Sequence, residues 1–321
     1  LSLTASIKQD NVFGSGNYLG VEVNTSRTGR TFVISSVDPY FTIDGVSRAF
    51  DVFYRTQRPL TIIGGTDYTL VTPGASVRFG VPFSEFDTVF FGIGLERTEI
   101  RGGSNLPNNY FLYREQFGET SNSVPITVGW ARDRRDSAIA PTQGRYQRVN
   151  LDWGVGGDTR YLRANLQFQQ YWPLTRTLTL ALNAEAGLGR GIGGRPYPIF
   201  KNFFGGGLGT VRAFDQGSLG PVDVTGAYLG GNRRVNVNGE LYLPVPGTGS
   251  DRSLRWFTYL DAGNVWGDRD SATLDSLRAS AGVGLSWISP LGPLKLSYGS
   301  PIRKKPEDRI QRLQFQIGTA F

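Results

Sequence analysis

Thr177-Leu178-Thr179-Leu180-Ala181-Leu182-Asn183-Ala184-Glu185-Ala186-Gly187-Leu188 is the stretch that decides the fold. Leu178, Leu180, Leu182, Ala184 and Leu188 fall on one face, against Thr177, Thr179, Asn183 and Glu185 on the other. A period of two marks a strand with one apolar and one polar side. The same pattern recurs in both directions along the chain. Leu3, Ala5 and Ile7 alternate with Thr4, Ser6 and Lys8. Phe50, Val52 and Tyr54 alternate with Asp51 and Arg55, and Val89, Phe91, Ile93 and Leu95 with Gly92, Gly94 and Glu96. Beyond residue 232, Val235, Val237, Leu241 and Leu243 oppose Asn236, Asn238, Glu240 and Tyr242, and Ala279, Ala281, Val283, Leu285 and Trp287 follow. About fifteen such segments of roughly ten residues span the chain, the length that crosses a bilayer when tilted.

A soluble sandwich also alternates, with its apolar faces packed inward. Here the apolar faces end in Trp130, Trp153, Trp172, Trp266, Trp287 and Phe321, and aromatic girdles at strand ends belong to membrane barrels. The reading is an all-β protein, a transmembrane antiparallel β-barrel filling residues 1–321 as a single domain. No run approaches the roughly 18 apolar residues of a membrane helix. Cysteine and histidine are absent, which removes a disulfide framework, thiolate metal sites and the Ser-His-Asp arrangement. No catalytic residue, cofactor or metal is therefore expected, and Asp133 with Asp136, or Asp268 with Asp270, read as turn carboxylates. The formal charge of +7 is scattered through the strands. That favours anionic lipid headgroups or lipopolysaccharide as partners over nucleic acid.

The connections alternate between short turns and four long loops, at 57–67, 102–122, 189–232 and 267–276. Outer-membrane barrels keep the short turns periplasmic and the long loops outside. With the 9–16 turn periplasmic, Leu1 starts at the extracellular side. A strand ahead of it is expected, giving a sixteen-strand type of which about fifteen strands are present.

The longest loop carries Gly205-Gly206-Gly207-Leu208-Gly209-Thr210-Val211-Arg212-Ala213-Phe214-Asp215-Gln216-Gly217-Ser218-Leu219-Gly220-Pro221. Glycine at this density suits a backbone folded tightly into a confined space, and Arg212 is a charge carried into that space. If the loop folds back into the lumen, strand parity offers it Glu240 and Asp261 on the polar faces of the two strands that follow. A guanidinium binds carboxylates through its planar fork. An exposed loop arginine is the alternative. The glycine spacing only loosely matches a phosphate-cradling loop, since no helix follows. Gly187, Gly189, Gly191, Gly193 and Gly194 read as flexibility at the strand exit. The closing segment alternates Leu313, Phe315 and Ile317 and ends in Phe321, both a last strand and the form of a C-terminal barrel-insertion signal.

Val211-Arg212-Ala213-Phe214, with its glycine-rich approach and Ser218-Leu219-Gly220-Pro221 behind it, resembles the Val-Arg-Gly-Phe motif of the BamA-type outer-membrane assembly factors. Asp10-Asn11-Val12-Phe13-Gly14-Ser15-Gly16, Asp38-Pro39-Tyr40-Phe41-Thr42-Ile43-Asp44-Gly45, Ser289-Pro290-Leu291-Gly292-Pro293 and Phe315-Gln316-Ile317-Gly318-Thr319-Ala320-Phe321 agree with the same family, in its order. The resemblance implies a sixteen-strand barrel in a bacterial outer membrane. In it the 189–232 loop tucks into the lumen, locked by Arg212 on Glu240 and Asp261. It implies a lateral seam of which Leu313, Phe315, Ile317, Gly318 and Phe321 form one side, used to insert unfolded outer-membrane proteins without ATP. It further implies periplasmic POTRA domains ahead of the barrel, with assembly lipoproteins as partners. A polypeptide-secretion relative, of the two-partner or TamA type, is the alternative. Ala213 departs from the family glycine, and a positive φ there would add about 1 kcal/mol of strain.

Overall fold

The computed structural model describes residues 2–26, 29–58, 68–102, 106–224, 226–247, 253–289 and 292–317. Fifteen strands close into one barrel. They are β1 (Ser2–Gln9), β2 (Tyr18–Ser26), β3 (Gly29–Asp38), β4 (Ser47–Gln57), β5 (Tyr68–Pro82), β6 (Asp87–Gly102), β7 (Thr120–Asp133), β8 (Gly144–Gly157), β9 (Tyr161–Pro173) and β10 (Thr179–Gly191). After the long loop come β11 (Arg233–Pro244), β12 (Leu254–Trp266), β13 (Arg278–Ser289), β14 (Gly292–Arg303) and β15 (Leu313–Ile317). Every strand pairs antiparallel with its neighbours in sequence, and β1 meets β15 in parallel. An odd number of alternating strands can close in no other way. Closure matters because hydrocarbon offers no partner to a free backbone edge.

The alternation is inside out relative to a soluble protein. Val52, Leu95 and Leu260 point outward and are exposed, while Asp51, Gln169, Asn236, Asp261 and Ser297 are buried inward. Outer apolar side chains are stable against lipid, and inward polar ones are stable only if they find partners. Asp51 does so with Arg78, whose Nε and Nη2 donate at 2.6 and 3.0 Å, and with Ser35 at 2.6 Å. Trp153, Trp172, Trp256 and Trp287 stand on the outer surface. Trp266 does not: it is buried at the top of β12, where its Nε1 donates to Ser276 Oγ at 2.7 Å. The expected girdle therefore loses this member, because loop segments cover both faces of the strand there.

The 102–122 connection holds a helix, α1 (Asn108–Phe117), that alternation alone did not announce. Tyr110 and Tyr113 lie three residues apart on its inner face, and Gly118 ends it at φ 87°. These tyrosines pack with Tyr68, Leu70, Ile100 and Leu229, and with Phe200 of the long loop. Asp223, also from that loop, accepts the Asn108 amide at 2.7 Å. Helix and loop thus roof one end of the barrel together.

Candidate functional site

The long connection between β10 and β11 turns into the barrel and folds back on itself. Antiparallel bridges join Phe203 to Gly231 and Gly205 to Leu219. Its rings are seated by the wall glycines. A Cβ on Gly187 would lie 2.7 Å from the Phe203 ring, and one on Gly189 would lie 2.3 Å from the Tyr197 ring. These two glycines belong to β10 and act as empty berths for loop side chains, which corrects their reading as a flexible exit. Arg163 and Arg234 flank the Phe203 ring at 4.4 and 5.5 Å.

Arg212 stands at the centre of the filled lumen, 3% exposed. Its amide and its Nε donate to Asp261 Oδ2 at 2.9 and 2.7 Å, and Nη2 donates to Asp261 Oδ1 at 2.7 Å. Nη1 donates to Glu240 Oε1. The guanidinium lies 3.8 Å from the centre of the Tyr259 ring, a cation–π contact strengthened by the loss of water. Glu240 also accepts Lys295 Nζ at 3.2 Å and the Tyr242 hydroxyl. Two cations thus face two carboxylates, so the cluster, shielded at Arg212 and Asp261 and open to water along Lys295, balances its charge. Burial opposes the Arg212 charge, but the pull of Glu240 and the bonds to Asp261 outweigh it and hold the guanidinium above its ordinary value.

The backbone around Arg212 is equally constrained. Thr210 Oγ1 accepts the Gly206 amide at 2.7 Å, and Asn238 Nδ2 donates to the Thr210 carbonyl. Ala213 sits at φ 68°, in the left-handed region that costs a residue with a Cβ about 1 kcal/mol or more. Val211, Phe214 and Leu219 form a small core with Ile310. Below the charge cluster lies a cavity of about 150 Å³, lined among others by Arg135, Ile139, Tyr171, Tyr242 and Lys295.

The second part of the site is the closure. β15 pairs with β14 over Leu313–Ile317, and with β1 only through Ser2 opposite Gln316 and Leu3 opposite Ile317 among the described residues. The segment ahead of Leu313 does not continue β15 along the wall. Ile310 and Gln311 leave the wall and pair antiparallel with Phe214 and Ala213 of the loop.

The model of the Omp85 superfamily domain matches residues 11–321. The chain belongs to the Omp85 superfamily. This Omp85 chain is 37% identical, over its whole length, to the outer membrane protein assembly factor BamA of Neisseria meningitidis serogroup B, and covers 45% of it. It is 27% identical to the BamA of Nitratidesulfovibrio vulgaris over 99% of its own length and 40% of that relative's. It therefore spans less than half of these curated relatives. BamA from Haemophilus ducreyi lacking POTRA domains 1–3 superposes with a TM-score of 0.84 at 27% identity, covering 97% of this chain and 66% of that one. CdiB from Acinetobacter baumannii, at 15% identity and a TM-score of 0.61 over 97% of this chain and 54% of its own, shares the fold alone. The Omp85 chain is a BamA-type barrel, integral to the outer membrane.

Of the residues singled out in the sequence of this Omp85 barrel, Val211, Arg212, Ala213, Phe214, Glu240 and Asp261 meet in the lumen. Leu313, Phe315 and Ile317 lie in β15 at the closure, and Gly318 and Phe321 lie outside the described residues. Lys295, Tyr242 and Tyr259 were not singled out, although all three join the cluster. Their signal was present in parity: each alternates with outward-facing leucines, as Glu240 and Asp261 do. Gln314 was missed for a different reason. Its partner is a loop carbonyl, which no side-chain pattern encodes.

Proposed function

We propose that this chain is the barrel domain of an outer-membrane assembly factor, which folds and inserts other β-barrel proteins through the seam between its first and last strands. The observation that carries the reading is the closure. Among the described residues β15 pairs with β14 through five residue pairs and with β1 through two, whereas β10 and β9 match thirteen. A short ladder is the place where a barrel opens at least cost, and each edge it frees is a template for an extended strand. The similarity to assembly factors named BamA over the whole chain supports the same reading. The partners follow from it: unfolded outer-membrane proteins at the seam, outer-membrane lipids and lipopolysaccharide around the barrel, and assembly lipoproteins reached through periplasmic POTRA domains. The Arg212 cluster braces the wall beside the moving closure, and no step of strand exchange calls for a nucleotide or metal.

The test locks the closure. This chain has no native cysteine, and with any cysteine elsewhere in the full-length protein replaced, cysteines paired across its closing strands form a single defined disulfide. Insertion of a reporter barrel is expected to fall at least tenfold on oxidation and to return on reduction. Undiminished insertion with the disulfide formed would overturn the seam mechanism.

A further inference from the structure

The top of the last strand is held by a partner that is not a barrel strand. The Gly299 amide donates to the Arg312 carbonyl at 3.0 Å, so the backbone polar groups of residue 312, and by alternation those of 310, face β14. Those of 309 and 311 face the opposite way, the side on which Ile317 meets Leu3 of β1. This second edge is occupied by the loop. The Asp215 amide donates to the Arg309 carbonyl at 2.8 Å, and Ala213 and Phe214 stand opposite Gln311 and Ile310. Gln314 Nε2, buried, donates to the Phe214 carbonyl at 2.7 Å.

The hold on the other side is weak for a covalent reason. Continuing the register of Tyr298 opposite Leu313 places Pro301 opposite Ile310. That is the next position at which β14 would donate, and proline has no N–H. Pro301 also sits beside the register shift between β13 and β14. The strand top is therefore released from β14 and free to lean onto the loop.

We propose that residues 213–215 act as a resident strand, capping the seam-side edge of residues 309–311 by β-augmentation, and that an incoming extended strand pairs with this edge by displacing them. The displaced segment directly follows Arg212, so the lumen lock and the edge cap are one piece of chain. Gln314 is the positioning residue that fixes the cap, and Pro301 keeps the strand top available to it. The inference rests on the seam reading for its role in insertion, but not for the cap itself.

Two measurements on the full-length protein in lipid nanodiscs separate these parts. The first is amide exchange without substrate, comparing Gln314→Glu, which keeps the shape but has no donor at neutral pH, with the parent and with Gln314→Lys, which restores a donor. The Asp215 amide is expected to exchange at least tenfold faster in Gln314→Glu and to recover in Gln314→Lys, while the Arg212 amide on Asp261 changes less than twofold. An unchanged Asp215 amide, or equal acceleration at Arg212, would overturn the cap. The second uses a photo-crosslinker at Gln311 and a synthetic peptide of alternating apolar and polar residues ending in an aromatic. Crosslinking is expected to rise at least threefold in Gln314→Glu and to vanish when Phe214→Cys and Ile310→Cys are oxidised together. Crosslinking insensitive to that disulfide would overturn displacement. Should the peptide crosslink to no variant while the exchange result stands, it is the seam reading that fails and not the cap.

Discussion

Arg212→Ala removes three donors from a shielded cluster, and the structure says which acceptors suffer. Glu240 keeps Lys295 and the Tyr242 hydroxyl, whereas Asp261, fully buried, keeps among the described residues only the backbone amide of residue 212. Breaking a buried ion pair from one side costs about 3–5 kcal/mol, mostly through the charge left behind. The surviving partners put the loss near the lower end, about 3 kcal/mol. At 1.4 kcal/mol per decade, that is roughly a hundredfold shift toward the undocked loop. Ser218 is fully buried in the same loop, and Ser218→Cys in this cysteine-free chain reports undocking by its reaction with a water-soluble maleimide. The labelling rate is expected to rise about a hundredfold in Arg212→Ala. Adding Asp261→Asn removes the stranded charge and should return about 1–2 kcal/mol of the loss. A labelling rate unchanged by Arg212→Ala, or a double variant that labels faster than the single, would refute the argument from a buried, charge-balanced lock.

Further outcomes follow from the same geometry. Ala213→Gly relieves about 1 kcal/mol of backbone strain but gives up a buried methyl of comparable worth, about 0.8 kcal/mol. Its thermal resistance on gels should therefore stay close to the parent, whereas Ala213→Val, branched at a positive φ, should lose heat resistance outright. Gly189→Ala drives a methyl into the Tyr197 ring and is expected to cost about 1–3 kcal/mol of overpacking, seen as faster Ser218→Cys labelling with the Arg212 bonds still encoded. In the 133–144 turn, burial opposes ionisation of Asp136, but the Thr142 hydroxyl and the amides of Thr142 and Gln143 more than compensate and hold its carboxyl below the ordinary range. A lowered folded-state value means the stabilisation is complete above the unfolded value and is lost as pH falls through the folded one. The Thr142 and Gln143 amides should therefore stay protected at neutral pH and lose protection under acid, and Asp136→Asn should abolish that pH dependence in an exchange experiment.

The barrel was legible in the chain because its signal is local. A lipid-facing strand must be apolar at every second residue, so Leu178–Leu188 and its repeats declare both strand and outward face without any tertiary knowledge. The same parity put Glu240 and Asp261 on the inner wall, and the motif around Arg212 supplied the charge to meet them. Where a loop goes is a different matter. The berths at Gly187 and Gly189 read as flexibility in sequence, because an absent side chain does not say which ring will fill the space. Lys295 and Tyr259 had the right parity but no reason to be preferred over other inward residues until the loop selected one level of the lumen. The division at residue 312 depends on the missing N–H of Pro301 falling opposite residue 310, a match that only the strand register sets, and on a partner about a hundred residues away. Alternation along the chain is fixed by the solvent each face meets. The docking of the 189–232 loop and the capping of the last strand are fixed by what the closed barrel brings within hydrogen-bond reach.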